Sequence, residues 1–351
     1  MCLTYYVFVI TSIEDVAKAA NVSTASVSRA LRGLPGVGKS TRRHIIEVAN
    51  QLGYVPLHSA STLASGRTGM VAMVMPDISR WFFSAALEGT ESVLRDNNYD
   101  ALVYSLPDFN GPRPAIDINV LRSRVDALIV TSIFFSQQET EQLRTLNLPC
   151  VFLSTLQTGF PHVGIDDEEA AEKACAHLID LGHTVIGHLS GIDDHLGYNA
   201  NKPTQRRRNG WTTTLINAGL DPSPDLDVSS AVMTAAGGYQ AMKQLWELRP
   251  DVTGVFASSD EMAIGAMQAI REMGMEVGRD ISVIGIDGHD LSEAVGLSTV
   301  AQPVYEQGEH AAQMILDTLR GTHTLTESDS AVFPTTLIQR ASTQPVNPSR
   351  R

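Results

Sequence analysis

The chain has 351 residues, 43% of them hydrophobic, and its 26 Lys and Arg against 39 Asp and Glu give a formal charge of −13. That length allows two or three domains with ordinary buried cores, and no apolar run approaches the roughly 20 residues that cross a bilayer. Three cysteines, Cys2, Cys150 and Cys175, stand far apart, which argues against a disulfide framework or a zinc site and fits a reducing, cytoplasmic setting.

The opening "MCLTYYVFVI" (1–10) is apolar but lacks the basic start and small-residue cleavage site of an export signal, and is read as a disordered extension. From residue 11 the pattern is helical. Ser12 is placed to cap a first helix, with Asp15 as its capping-box partner, and Ile13, Val16, Ala17 and Ala20 form an apolar stripe. After the tight turn "NVS", Ser23 caps a second helix. Val27, Ala30 and Leu31 turn inward there, while Thr24, Ala25, Ser28 and Arg29 share the opposite side. The loop "RGLPGVGK" leads to a third helix, Ser40 to Leu52, which buries Ile45, Val48, Ala49 and Leu52 and ends at Gly53.

From Met70 short apolar strands alternate with amphipathic helices. "MVAMVM", "DALVYS", "VDALIVTS", "PCVFLS", "TVIGHLSG", "VTGVFASS" and "ISVIGIDG" are the predicted strands, separated by helices at roughly 84–97, 168–181, 205–218, 237–248, 261–273 and 304–320. Such alternation implies parallel sheets with right-handed crossovers. The fold class expected is an all-α helix-turn-helix domain followed by an α/β core of two doubly wound parallel-sheet lobes. The domain boundaries read as 11–56 for the headpiece, 57–69 for a linker, 70–341 for the two lobes and 342–351 for a disordered tail.

Charge divides unevenly between these parts. Residues 1–69 carry Lys18, Arg29, Arg32, Lys39, Arg42, Arg43 and Arg67 against Glu14, Asp15 and Glu47, a balance of +4, which leaves −17 on the remainder. A basic head on an acidic body confines polyanion contact to the head. A helix-turn-helix lays its second helix in the major groove, where Arg29 can reach guanine O6 and N7 or a phosphate. At the predicted strand ends of the body stand Asp77, Ser259, Asp260 and Asp287, the place where open α/β sheets bind ligands. Carboxylates suit a polyol, whose hydroxyls both donate and accept, and Phe82 and Phe83, with Trp81 beside them, offer an apolar platform for a sugar ring. Asp287, His289, Asp290 and Glu293 could also suggest an acid–base or metal site, but HExxH, CxxC, P-loop and GxSxG are all missing from the sequence. No enzyme activity, cofactor or metal is expected.

"TSIEDVAKAANVSTASVSRALRG" with "STRRHIIEVANQLGYVP", and further on "VAMVMPDISRWFF", "VGIDDEEAAEKACAHLIDLGH", "RRRNGW", "FASSDEMAIGAMQAIREMG", "DISVIGIDG" and "STVAQP", resemble the LacI/GalR family of transcription regulators over about residues 11–341. The resemblance implies a headpiece joined to a periplasmic-binding-protein-like effector domain. It adds Tyr54 to the DNA-facing residues Ser12, Ser23, Thr24, Ala25, Ser28 and Arg29, and it makes Leu63 a wedge in the minor groove from a hinge that folds on operator DNA. It also makes Arg207 an effector-binding arginine. Departures are Leu57 where the family has Asn, Ser61 where a basic residue is common, Ser259 where many relatives carry Asn, and Arg80–Trp81 in place of Asn-Pro. The implied partners are pseudo-palindromic double-stranded operator DNA, a small sugar-like effector and a second copy of the chain. No leucine follows Arg340, where tetrameric relatives append a leucine heptad, so a dimer is expected. An exported solute-binding protein, or a regulator answering to a nucleoside or another metabolite, is the alternative.

Overall fold

The computed structural model describes residues 11–54, 67–106, 116–191, 202–230 and 232–347. Two compact units meet in sequence at Thr68 and Gly69. The first holds α1 (Ile13–Ala19), α2 (Thr24–Leu31) and α3 (Lys39–Gln51). Ser12 and Asp15 form the reciprocal capping box at α1, and Ser23 caps α2 by accepting from the Ser26 amide. Val16, Val27 and Ile45 are the fully buried centre of a small three-helix core, with Ala17, Ala20, Ala30, Val48 and Ala49 around them. Leu52 is not part of it. The chain leaves α3 through Gly53 (φ +62°), whose left-handed conformation lets the Tyr54 amide bond back to the Ala49 carbonyl at 2.9 Å. Tyr54 then packs on the core where Leu52 was expected, and Leu52 is 40% exposed.

In the second unit, lobe 1 opens with β1 (Met70–Met75), α4 (Trp81–Asp96), β2 (Asp100–Ser105), α5 (Ile118–Arg122), β3 (Ala127–Thr131), α6 (Gln137–Leu146), β4 (Cys150–Leu153) and β5 (His162–Ile165). Lobe 2 follows with α7 (Asp167–Asp180), β6 (Ile186–Gly191), α8 (Pro203–Asn217), β7 (Asp227–Ser230), α9 (Ala235–Leu248), β8 (Gly254–Ala257), α10 (Asp260–Glu272), β9 (Ser282–Asp287), α11 (Leu291–Val295) and β10 (Ser298–Ala301). The chain returns to lobe 1 for α12 (Val304–Leu319) and β11 (Ala331–Phe333), then closes on lobe 2 with β12 (Thr336–Ile338). The lobes are therefore joined by three crossings, after β5, β10 and β11.

The sheet orders are β11-β5-β4-β3-β1-β2 and β12-β10-β9-β8-β6-β7. All pairings are parallel except that of β12 with β10. The unbroken apolar run of β1 follows from this layering. Val71, Met73 and Met75 face one core, Ala72 and Val74 the other, so both sides of the sheet are covered. Lobe 1 is closed on one side by α4 against α12, which approach so tightly that a Cβ on Gly89 would meet the Tyr305 carbonyl and one on Gly308 the Ala86 carbonyl. Thr90 Oγ1 donates to the Gly308 carbonyl across this contact at 3.2 Å.

The C-terminal segment corrects the sequence reading. Residues 342–347 are fastened to lobe 2 and do not form a loose tail. Ser342, Thr343 and Val346 are buried, the Ser342 hydroxyl donates to the Val283 carbonyl at 2.7 Å, and His177 and His183 reach Thr343 Oγ1 and the Gln344 carbonyl at 2.8 and 3.1 Å. The polar run "STQPVN" hid this because its hydroxyls and carbonyls serve as partners for buried groups.

Candidate effector cleft and DNA-reading helix

On the headpiece, α2 presents Thr24, Ala25 and Arg29 exposed, with Ser28 half-buried on the same side. Ser12 and Ser23, expected near DNA, are both committed to helix caps: Ser12 Oγ donates to Asp15 Oδ2 at 2.8 Å, and Ser23 Oγ accepts from the Ser26 amide at 3.2 Å. Hydrogen bonds from Ser12 hold the Asp15 carboxyl below its usual range. Tyr54 is half-buried, and burial pushes its phenol up, with the Glu14 charge adding to the rise. Leu63, Leu57 and Ser61 lie outside the described residues.

In each lobe the first two strands reverse the order of those that follow, so a crevice opens between β1 and β3 in lobe 1 and between β6 and β8 in lobe 2. Ligands of open α/β sheets bind at the carboxyl ends of strands beside such a switch. Asp77 follows β1, Ser259 and Asp260 follow β8, and Asp287 ends β9. Arg207, on the first half of α8, is brought to the same place. Its Nε donates to Asp167 Oδ1 at 2.8 Å, its Nη1 donates to the Ser258 carbonyl, and Nη1 lies 3.9 Å from Asp287 Oδ1. Burial works against the charge of this guanidinium, yet Asp167 and Asp287 outweigh it and hold its pKa above the ordinary arginine value.

Asp287 is strongly perturbed within the cluster. Burial pushes its carboxyl up to about 7, against the pull of Arg207 and with the repulsion of Asp260 added. Gln302, at the second crossing between lobes, donates to its Oδ1 at 2.8 Å. The Asp287 backbone sits at φ +138°, a region L-residues rarely occupy and one that costs about 1–3 kcal/mol. Asp260 is buried alongside, and burial raises its carboxyl as well. Its Oδ2 accepts from the Gly288 and His289 amides at 3.0 and 2.9 Å and from Ser292 Oγ at 2.8 Å, fixing the loop after β9.

Other expected contacts have local structural roles. Asp77 Oδ1 accepts from the Ser79 amide and hydroxyl, both at 2.8 Å, in a short turn. Ser259 Oγ caps α10 by accepting from the Met262 amide at 3.3 Å. Phe83 is 6% exposed inside the core of lobe 1, its ring edge-on to the half-buried Phe82 at 5.4 Å, so it is not part of a platform facing a ligand. The aromatic that reaches across to lobe 2 is Trp81, stacked on His289 with centroids 5.1 Å apart. Spacing could not separate the three, because 81, 82 and 83 point to successive faces of the helix.

Several functional candidates had no signal strong enough to single them out. Asp167 sits beside Asp166 at the first crossing, and that carboxylate pair in "GIDDE" is the cue that could have found it; Arg206 binds Asp166 at 2.9 Å just as Arg207 binds Asp167. Behind Arg207 lies a second buried layer. His188 stacks between Trp211 and Phe256, its Nδ1 is 2.9 Å from Asp227 Oδ1, and its Nε2 is 2.8 Å from Ser258 Oγ. Arg208 completes it through Asp227 Oδ2 at 2.8 Å. Burial lowers the His188 pKa, so the neutral imidazole spans carboxylate and hydroxyl. The Ser-His-Asp order resembles a nucleophilic triad, but Ser258 and His188 are wholly buried and offer no face to a substrate.

The model of "Bacterial regulatory proteins, lacI family" matches residues 12–57, and that of "Periplasmic binding protein-like domain" matches residues 175–343. Catabolite control protein A of Priestia megaterium is 32% identical over 309 residues, spanning 87% of this chain and 91% of that protein. Among solved structures, a transcriptional regulator CelR–cellobiose complex shares 25% identity at a TM-score of 0.68, covering 95% of this chain and 99% of that one. The Lac repressor dimer bound to operator and the anti-inducer ONPF has the same coverage at a TM-score of 0.81 and 24% identity, a likeness of fold.

Proposed function

The chain belongs to the lacI family of bacterial regulatory proteins and is a DNA-binding transcriptional regulator, and from that premise we propose that it is a homodimeric repressor whose hold on a pseudo-palindromic operator is set by a small sugar-like effector between its two lobes. The observation that carries this reading is the convergence of Arg207, Asp167 and Asp287 where the two lobes are joined. A guanidinium fork and flanking carboxylates can satisfy both the donors and the acceptors of adjacent hydroxyls. The cellobiose carried by the CelR relative and the operator carried by the Lac repressor support the same two partners here.

On DNA, α2 enters the major groove with Thr24, Ala25, Ser28 and Arg29 toward the bases, while Ser12, Ser23 and Tyr54 hold the backbone-facing surface. Two headpieces then read half-sites about 10 bp apart. Leu63 is assigned the minor-groove wedge. Footprinting across candidate promoter fragments tests this: Arg29→Ala should lose protection at concentrations where the parent protects a fragment fully. Leu63→Ala should weaken operator binding far more than binding to random DNA, since wedging depends on deformable central steps. Unchanged footprints for Arg29→Ala would remove α2 from the interface. The setting proposed is the cytoplasm; among the described residues no helix is long and apolar enough to cross a membrane.

A further inference from the structure

The start of α4 has an unusual cap. Ser79, the natural capping residue, is turned back to Asp77, so Arg80 stands at the N-cap with no capping hydrogen bond from its own side chain. Short polar side chains ordinarily fill that position because the first helical amides need acceptors. Here the acceptor comes from the opposite lobe. Glu261, in the first turn of α10, places Oε1 3.3 Å from the Trp81 amide. Its Oε2 takes Arg80 Nε at 2.8 Å and Nη2 at 2.6 Å. One carboxylate thus serves as a helix cap, a charge on the positive end of the α4 dipole and the partner of a forked guanidinium.

One residue along, the Trp81 indole lies over the His289 imidazole, with centroids 5.1 Å apart and planes at 27°. His289 is itself held by Asp260, which accepts from its amide. None of these groups stands in open water: the Arg80 and Glu261 side chains are 14% and 19% exposed and that of His289 is 11% exposed. Screening is weak at such sites, so this pair is unlike an exposed surface bridge. Both halves sit at the strand ends facing the cleft, one on each lobe, and every contact is between protein groups.

We propose that Arg80 and Trp81 of lobe 1 latch onto Glu261 and His289 of lobe 2 and hold the effector cleft closed without an effector. Arg80 and Trp81 are positioning residues: they set the angle between the lobes and hence how Arg207 and Asp287 meet whatever lies opposite. The resting shape of the clamp is then set by its own sequence, and an effector must enter by breaking the latch. The proposal rests on the reading of the cleft as the effector site, but its test needs no effector.

The test is the distance between lobes in the effector-free full chain, measured by double electron–electron resonance. One spin label is placed on each lobe, at Thr145→Cys and Gln268→Cys, both exposed positions, in a Cys2→Ser background. Cys150 and Cys175 are buried, and burial pushes both thiols far up, so they stay unlabelled. Labelled chain is diluted into unlabelled chain, which leaves one spin pair per dimer. The parent should show one narrow distance. The Arg80→Ala/Trp81→Ala variant should shift to a longer and broader distribution. Glu261→Gln, which keeps the side-chain volume and acts from the opposite lobe, should shift it in the same direction. A distribution already broad in the parent, or identical in the parent and both variants, would overturn the latch. A latched parent that binds no sugar would count only against the sugar reading, and an unlatched one that binds sugar only against the latch.

Discussion

The headpiece and the two-lobed unit solve opposite problems with charge. In the headpiece the residues assigned to DNA are short or forked side chains on the outside of α2, and the core beneath them is eight small apolar groups. In the two-lobed unit the residues assigned to the effector are buried among one another: Arg207 with Asp167, Asp287 with Gln302, Asp260 with the loop after β9. Binding and folding are therefore separable in the first and inseparable in the second. A change on the face of α2 alters what is bound; a change in the buried cluster alters what is folded.

The largest effect that sharpens this contrast is expected from Arg207→Ala. Removing the guanidinium leaves Asp167 and Asp287 buried without their cation, a loss of about 3–5 kcal/mol by analogy with broken buried pairs. Chemical denaturation should show it as a fall in midpoint, together with loss of any sugar response. A variant as stable as the parent would mean that the carboxylates are hydrated and the cluster is open.

Next comes Asp287. Its folded carboxyl keeps its proton up to about pH 7, whereas in the unfolded chain it ionises near 3.8. The folded state thus binds the extra proton between those values, and the stability it supplies is fully present below about pH 4 and lost as pH climbs to 7. The full span is about 4 kcal/mol from the two pKa values. Asp287→Asn should flatten the fall in stability across that window in melts recorded from pH 4 to 8. An unchanged slope would assign the pH dependence to other groups.

On the headpiece the expected effects on folding are small. Arg29→Ala should cost about 1–3 kcal/mol of operator binding and move the melting temperature of the headpiece transition hardly at all. A large drop in melting temperature would break the separation between binding face and core. Smallest is Ser23→Ala, which removes the cap on α2 and should cost about 1 kcal/mol of headpiece stability. Its signature is earlier thermal fraying without a change in the salt dependence of DNA binding.

The same contrast decides what could be read from the sequence. Ser12, Asp15 and Ser23 found their roles because a cap and its partner lie three residues apart, and local spacing is enough to see them. The strand runs of β1, β3, β4, β8 and β9 were visible because strands buried on both faces carry near-continuous apolar runs, while β2 and β6 showed as apolar stretches bounded or broken by polar residues. β5, β7, β10, β11 and β12 hold at most three consecutive apolar or glycine residues, whereas the equally short β4 (CVFL) and β8 (GVFA) hold four and stand out. Asp167 and His188 were invisible as site residues since their partners lie 40 and 39 residues away in Arg207 and Asp227. The parallel pairing of β9 with β10 brings Asp287 to Gln302, and only the crossings between lobes bring Arg80 to Glu261. Phe83 misled for the same reason: an aromatic beside a strand end reads alike whether it turns to the cleft or to the core.

The most direct test of a regulator with a cationic DNA reader and an anionic sensing clamp is one binding measurement on the purified chain. Its affinity for candidate promoter fragments and for random DNA is recorded at about 0.15 M salt, with and without a panel of neutral sugars. The expected result is a preference for one promoter fragment that one sugar shifts about 5- to 150-fold, the range of ordinary allosteric coupling. Equal affinity for all DNAs, unmoved by every sugar, would contradict it.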